Sequence, residues 1–278
     1  MTIRTSVLLA VTALLLAACG NNTQNASNDA EGMNKFSSDT SFRDAHESPA
    51  DIAFEGKGEM ITFATPDGKE AKAYLLKSAA PTDKVLFVIQ EWWGLNDFVK
   101  REAERLASEL DNVTVLALDM YDGKVATNPE DAAAYMEAAT TPRCEAIIKG
   151  ALANVGPKAK VATIGWCFGG GWSLRASILA GKQAAGCVMY YGMPVEKANE
   201  LAPLQADVLG IFAGKDAWIT EKVVTDFQNL AKATNKKLEV QSFDADHAFA
   251  NPSSPKYDKA NADKANDLAL NFLKQKLS

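Results

Sequence analysis

The residues in this sequence best suited to chemistry are one cysteine in a glycine-bounded turn, one aspartate after a strand and one histidine, occurring in the order Cys167, Asp216, His247. Cys167 lies in Gly165-Trp166-Cys167-Phe168-Gly169, after the short apolar, partly β-branched run Val161-Ala162-Thr163-Ile164 and before a helical pattern over 172–179. That is strand, tight turn, helix, with the form G-x-C-x-G, the thiol version of a nucleophile elbow. The glycines lack the Cβ atoms that would clash where strand reverses into helix. A nucleophile held there sits at a helix N-terminus, whose free N–H groups favour a thiolate and offer a donor to an oxyanion. The opposing reading is a buried, inert cysteine in an ordinary turn, since free cysteines are among the most buried residues. A base must titrate near neutrality, and His247 is the only histidine in the predicted folded domain, so elimination gives it that post. Asp216, in Gly214-Lys215-Asp216, also reads as a turn residue or helix cap before Thr220.

Holding these residues together requires a sheet. Residues 59–64 and 70–76 alternate in polarity around Thr65-Pro66-Asp67-Gly68, which predicts an antiparallel hairpin. Residues 85–89 form a continuous apolar run of the kind buried on both faces of a sheet. An amphipathic helix over 97–110 follows, stopped near Asn112, and then a buried strand over 113–118. Asn128-Pro129-Glu130 starts a helix through Ala139, and Pro142 starts another to about Asn154. Beyond the elbow, strands are expected at 187–191, 208–213 and 238–243, with helices at 194–201, 220–234 and 257–276. This alternation predicts an α/β fold: a mostly parallel sheet with helices on both faces and functional residues at the carboxyl ends of strands. The loops that matter are 90–96, the elbow, and those after Ala213 and Phe243. The order Cys, Asp, His is that of the α/β-hydrolase arrangement.

The chain begins with features of export. Residues 1–18 combine Arg4 with an apolar run over 7–16 and small residues before Cys19, which reads as a signal peptide too short to span a bilayer. Leu16-Ala17-Ala18-Cys19 looks like a bacterial lipobox, which makes Cys19 the lipidated first residue of a periplasm-facing, outer-membrane-anchored protein, Gly20 not being the Asp of inner-membrane retention. Residues 19–51 are rich in Asn, Ser, Asp, Thr and Ala with isolated Phe36 and Phe42, and read as a flexible tether in which His46 is solvated. Residues 52–278 suffice for one domain. The net charge of −6, without a basic run, excludes a nucleic-acid-binding role. After Cys19, Cys144, Cys167 and Cys187 remain, without C-x-x-C or metal-ligand spacing, so no metal site is expected. An odd count in an oxidising compartment allows one disulfide, between Cys144 and Cys187 if Cys167 is the reactive thiol, though spacing does not show whether they meet.

From about residue 59 to 276 the chain resembles the dienelactone hydrolase family of cysteine α/β-hydrolases. The resemblance is carried by Gln90-Glu91-Trp92-Trp93-Gly94-Leu95-Asn96, Asp119-Met120-Tyr121, the elbow with Gly170, Gly214-Lys215-Asp216 and His247-Ala248-Phe249. It implies an enzyme without cofactor in which Cys167 is nucleophile, His247 the base, Asp216 its orienting carboxylate and Glu91 a helper in deprotonating the thiol. It also implies oxyanion donors at the backbone N–H groups of Phe168 and Trp92. The loops would bring Trp92, Trp93, Trp166 and Trp218 to one face as an aromatic pocket, joined by Tyr121, Lys124, Phe249 and Asn251. Two arginines with which the family's founding enzymes bind a substrate carboxylate are replaced by Asp122-Gly123 and Ala250-Asn251, with Lys124 a partial substitute. The expected activity is hydrolysis of an ester or lactone through a thioester, by a monomer. The alternative is an envelope or binding protein that kept the fold without catalysis.

Overall fold

The computed structural model describes residues 32–50 and 52–278; the signal segment and Cys19 lie outside the described residues. Eight strands form one sheet: β1 (Glu59–Ala64), β2 (Glu70–Leu76), β3 (Lys84–Ile89), β4 (Thr114–Leu118), β5 (Lys160–Trp166), β6 (Ala184–Tyr190), β7 (Val208–Ala213) and β8 (Leu238–Phe243). Their order is β1-β2-β4-β3-β5-β6-β7-β8. The hairpin β1–β2 is antiparallel with Glu59 opposite Leu75 and Ala64 opposite Glu70. β2 meets β4 antiparallel, and every pairing beyond is parallel. Parallel strands need crossovers. These are α2 (Asp97–Glu109), α3 (Pro129–Ala138), α4 (Thr141–Val155), α5 (Phe168–Ala180), α6 (Ala198–Leu201) and α7 (Glu221–Ala233), with α1 (Thr40–Asp44) ahead of the sheet and α8 (Lys259–Lys276) after its last strand.

Burial follows from that topology. Residues 85–89 of β3 are all buried, as an apolar run covered on both sides requires. The β1–β2 edge alternates instead, with Phe63, Ala71 and Ala73 inward and Lys72 and Thr62 outward. α2 buries Val99, Ala103 and Leu106, and Asn96 caps it by accepting from the Val99 N–H at 3.1 Å. Two side chains fix the elbow helix to the sheet: Thr163 Oγ1 donates to the Ser173 carbonyl at 2.9 Å and Ser173 Oγ to the Val188 carbonyl at 2.8 Å.

Three features differ from the sequence reading. The helix expected over 194–201 is a single turn from Ala198; before it the Met193 backbone lies against Gly171 of α5, and Met193 and Val195 are buried outside any helix. Cys144 and Cys187 form no disulfide; both are buried free thiols, Cys144 facing the Ala139 carbonyl and Cys187 facing Ser173 Oγ. The largest difference is in residues 32–46. They form a 3-10 turn (Gly32–Phe36) and α1, capped by Asp39, whose carboxylate accepts from the Ser41 N–H at 2.8 Å. Asn34 Nδ2 donates to the carbonyls of Met136 and Ala139 at 2.7 and 3.1 Å, and Lys35 pairs with Glu196 at 3.2 Å. Phe42 is fully buried, which is worth about 1.5–3 kcal/mol for a side chain of that size. This stretch is therefore a strap laid on the domain, because two phenylalanines too few to build a core can join an existing one.

Candidate active site

Parallel β3, β5, β6, β7 and β8 end at one edge, and their carboxyl ends deliver Glu91, Cys167, Tyr191, Asp216 and His247 there. Pairing of Ile89 with Gly165 and of Trp166 with Tyr190 sets the Glu91 and Tyr191 loops on either side of the elbow.

The turn at Cys167 is sharp. Its φ is 54° and ψ −116°, in a region that residues with a Cβ avoid. Of six non-glycine residues with positive φ among the described residues, Asn112, Asp122 and Asn235 are types that tolerate it. The other three, Cys167, Tyr191 and Ala248, all lie at this edge, so backbone strain is concentrated at the site. The glycines serve close approach, as the sequence suggested. A Cβ at Gly165 would lie 2.1 Å from the Gly169 carbonyl oxygen, and one at Gly169 would lie 2.3 Å from that of Ile89.

His247 Nδ1 lies 2.6 Å from Asp216 Oδ2, with both side chains buried. The carboxylate therefore receives Nδ1–H and leaves Nε2, the ring nitrogen on the side of the Cys167 sulfur, free to accept a proton. The other carboxylate oxygen, Oδ1, accepts from the N–H groups of Trp218 and Ile219 at 2.9 Å each. Asp216 is thus a turn residue and a partner of histidine at once. Burial opposes its charge, yet His247 and the two N–H groups outweigh this and hold the carboxyl below its ordinary pKa. Burial also disfavours a charged His247, but the Asp216 carboxylate and the Cys167 sulfur more than offset it, making the imidazole more basic than a free one.

The Cys167 thiol departs from the expectation. Burial pushes its pKa up, and the pull from His247 and the Phe168 N–H offsets only part of this. The magnitudes explain the outcome: a helix N-terminus contributes at most about 2 kcal/mol, whereas full burial shifts a pKa by up to roughly 3–5 units. Glu91 is buried too, and burial, opposed by His247 and by the Asn251 and Tyr191 hydrogen bonds, raises its pKa to about 7. Its carboxyl accepts from Asn251 Nδ2 and, at 3.5 Å, from the Tyr191 hydroxyl.

Two cavities adjoin the elbow. A small chamber of about 10 Å³ touches Cys167, Glu91, Trp92, Trp93 and Asn251. A larger cavity of about 250 Å³ shares Glu91, Trp93 and Asn251 with it and extends past Trp166, Phe98 and Tyr257. The aromatic face is therefore divided. Trp218 is held instead by the strap, donating from Nε1 to Asp39 at 3.3 Å and packing edge-on to Phe42. Tyr121 packs on Phe168, Phe249 packs among Tyr191 and Phe243, and Lys124 lies over the Tyr135 ring, so these three line neither cavity. Sequence reasoning missed Tyr191, although the strand-end rule that selected Cys167 applies equally to the end of β6. It also misplaced His46, which packs on Trp92 at 4.6 Å and stands 5.7 Å from the His247 ring, centroid to centroid. Among the described residues no cluster of His, Cys, Asp or Glu could hold a metal ion, and no helix is long and apolar enough to cross a membrane.

The sheet order, the strained elbow and the buried Asp–His pair define an α/β-hydrolase fold. Residues 71–277 match the model of the dienelactone hydrolase family, and the chain belongs to that family as a hydrolase. It is 26% identical over 228 residues to carboxymethylenebutenolidase 1 of Cupriavidus pinatubonensis, covering 77% of this chain and 95% of the relative. A carboxymethylenebutenolidase of a Pseudomonas species is 29% identical, covering 78% of this chain and 95% of the relative. Among solved structures, a dienelactone hydrolase-like promiscuous phosphotriesterase from metagenomic libraries superposes with a TM-score of 0.67 at 20% identity, over 80% of this chain and 100% of the other. The dienelactone hydrolase of Anabaena variabilis gives 0.58 at 17% identity, over 81% of this chain and 100% of the other. The family match begins beyond the strap.

Proposed function

We propose that this protein hydrolyses carboxylic esters or lactones by nucleophilic catalysis from Cys167. The observation that carries this is the buried His247–Asp216 pair at 2.6 Å, coupled electrostatically to a thiol held in a strained turn. The thiol sulfur attacks the carbonyl carbon while its proton passes to His247 Nε2, with Glu91 assisting as substrate arrives. The N–H groups of Phe168 and Trp92 hold the tetrahedral oxyanion. Collapse expels the alkoxide or enolate, which takes the proton from His247 and leaves a thioester. Water then gives a proton to His247, attacks the thioester, and the second collapse releases the acid and restores the thiol. Incubation with an activated ester, followed by an acid quench and peptide mass spectrometry, should find the acyl group on the peptide bearing Cys167. Turnover with the label elsewhere would sink the mechanism.

The charge of the site supports neutral substrates. Asn251 donates to Glu91, Gly123 carries no side chain and Lys124 is occupied by Tyr135, so no lysine or arginine lines the chamber beside the thiol, whose walls include the Glu91 and Glu47 carboxyls. Of the two arginines lining the larger cavity, Arg105 is paired with Glu102 and Glu109 at 2.5 and 2.8 Å. A charge-assisted hydrogen bond is worth about 1.5–3 kcal/mol. A lactone methyl ester should therefore exceed its free carboxylate in kcat/KM by roughly tenfold to a hundredfold, and Asn251→Arg should narrow the gap. Preference of the wild type for the anion would refute this and point to Arg101, the cavity's other cation.

We propose further that Cys19 is lipidated and anchors the protein to the outer membrane facing the periplasm, on the strength of the Leu-Ala-Ala-Cys sequence behind an apolar run. Cys19→Ser should release the protein into the soluble fraction with its activity intact. An unmodified mature N-terminus at another residue would overturn this proposal.

A further inference from the structure

The chamber beside Cys167 is too small for any ester. At about 10 Å³ it lies at the lower limit of the space a single water needs, about 10–15 Å³. The strap helps to close it: His46 and Glu47 form part of its wall. His46 is wedged by its neighbours, its Nδ1 lying 2.6 Å from the Phe42 carbonyl and its ring against Trp92. Phe42 packs edge-on to Trp92 and Trp218 at 5.1 Å each and stands 6.0 Å from the His247 ring. Burial and the neighbouring His247 hold His46 neutral, pushing its pKa down to about 3, so the wall at this point is an uncharged ring.

We propose that residues 32–47 are a built-in cover over the catalytic thiol, which must be displaced for substrate to reach Cys167, and that His46 shuts the chamber while Phe42, packed on His46 and Trp92, seats it there. The strap lies outside the family match, and two relatives are 95% covered by alignments that take in only 77% and 78% of this chain. The strap is therefore an addition to the segment shared with the family, laid on the site from outside it. Its attachments are few enough to open locally: two buried side chains, Met33 and Phe42, a few hydrogen bonds and one exposed ion pair. The consequence for turnover rests on Cys167 being the nucleophile; access to the thiol does not.

The test compares the intact chain with Phe42→Ala, His46→Ala, the double variant and Asn34→Ala. The last loosens the strap at its attachment to Met136 and Ala139 without altering the chamber wall. The first readout is the alkylation rate of Cys167 by N-ethylmaleimide, assigned by peptide mass spectrometry; the second is kcat/KM for a bulky aryl ester relative to an acetate ester. Each variant is first checked for an unchanged circular dichroism spectrum. A rise in alkylation of tenfold or more in the double variant, and of several-fold in Asn34→Ala, is expected, with the bulky ester gaining relative to the small one. Unchanged alkylation in a folded Asn34→Ala and in any other folded variant would overturn the cover. Faster alkylation without ester turnover in any chain would instead retain the cover and remove the hydrolase mechanism.

Discussion

Cys167→Ala is expected to lower ester or lactone turnover by about 10⁴-fold or more, since loss of a nucleophile typically leaves only the contribution of oxyanion donors and binding. The change removes one sulfur and leaves the Cβ in the same positive-φ turn, so the backbone of the elbow has no reason to move. Cys167→Ser should recover little. A hydroxyl is a far weaker acid than a thiol, and the burial that already raises the thiol pKa would penalise an alkoxide more. Substrate binding should survive, because the cavity walls at Trp93, Trp166 and Asn251 are untouched. The measurement is kcat and KM on the wild type's best ester, with Cys144→Ala as the control, since that thiol, carried on α4, faces the Ala139 carbonyl away from the elbow. Full turnover in Cys167→Ala would mean that water is activated directly, without a covalent intermediate.

The parts legible in the sequence were those whose signal is local. The hairpin 59–64 and 70–76 has its expected bounds because period-two alternation and a Pro-Asp-Gly turn leave no other register. The buried parallel strands were legible as apolar runs, and their common carboxyl edge then placed Cys167, Asp216 and His247 together. Three things were not legible, each because it depends on what lies across space. A segment such as 32–47 is judged from composition by whether it can bury its own core, and this one buries Phe42 in a neighbour's. The thiol's acidity depended on burial, which outweighs a helix terminus and which no motif reports. Among the aromatics expected at the pocket, side-chain direction decides that Trp93 and Trp166 line a cavity while Tyr121 and Phe249 pack inside.

Asp216→Asn is expected to lower kcat/KM by about 10⁴-fold, as loss of the carboxylate partner of a catalytic histidine does elsewhere, and the reason here lies in what its two oxygens touch. Oδ1 accepts two backbone N–H groups, from Trp218 and Ile219, and only an oxygen can replace it there. In the variant the amide carbonyl must keep that position, which turns the NH₂ toward His247 Nδ1. A donor facing Nδ1 forces the ring's proton onto Nε2. The imidazole then meets Cys167 with an N–H, and has no lone pair to receive the thiol proton. A second effect acts in the same direction: the carboxylate raises the basicity of His247, so without it the imidazole pKa falls. The ionisation on the acid side of the pH profile of kcat/KM should accordingly move to lower pH while its plateau drops. Stability should change less than activity, because the amide retains both turn hydrogen bonds; a thermal melt checks this. A plateau within about threefold of wild type, with the profile unmoved, would show that His247 does not depend on Asp216 for its tautomer.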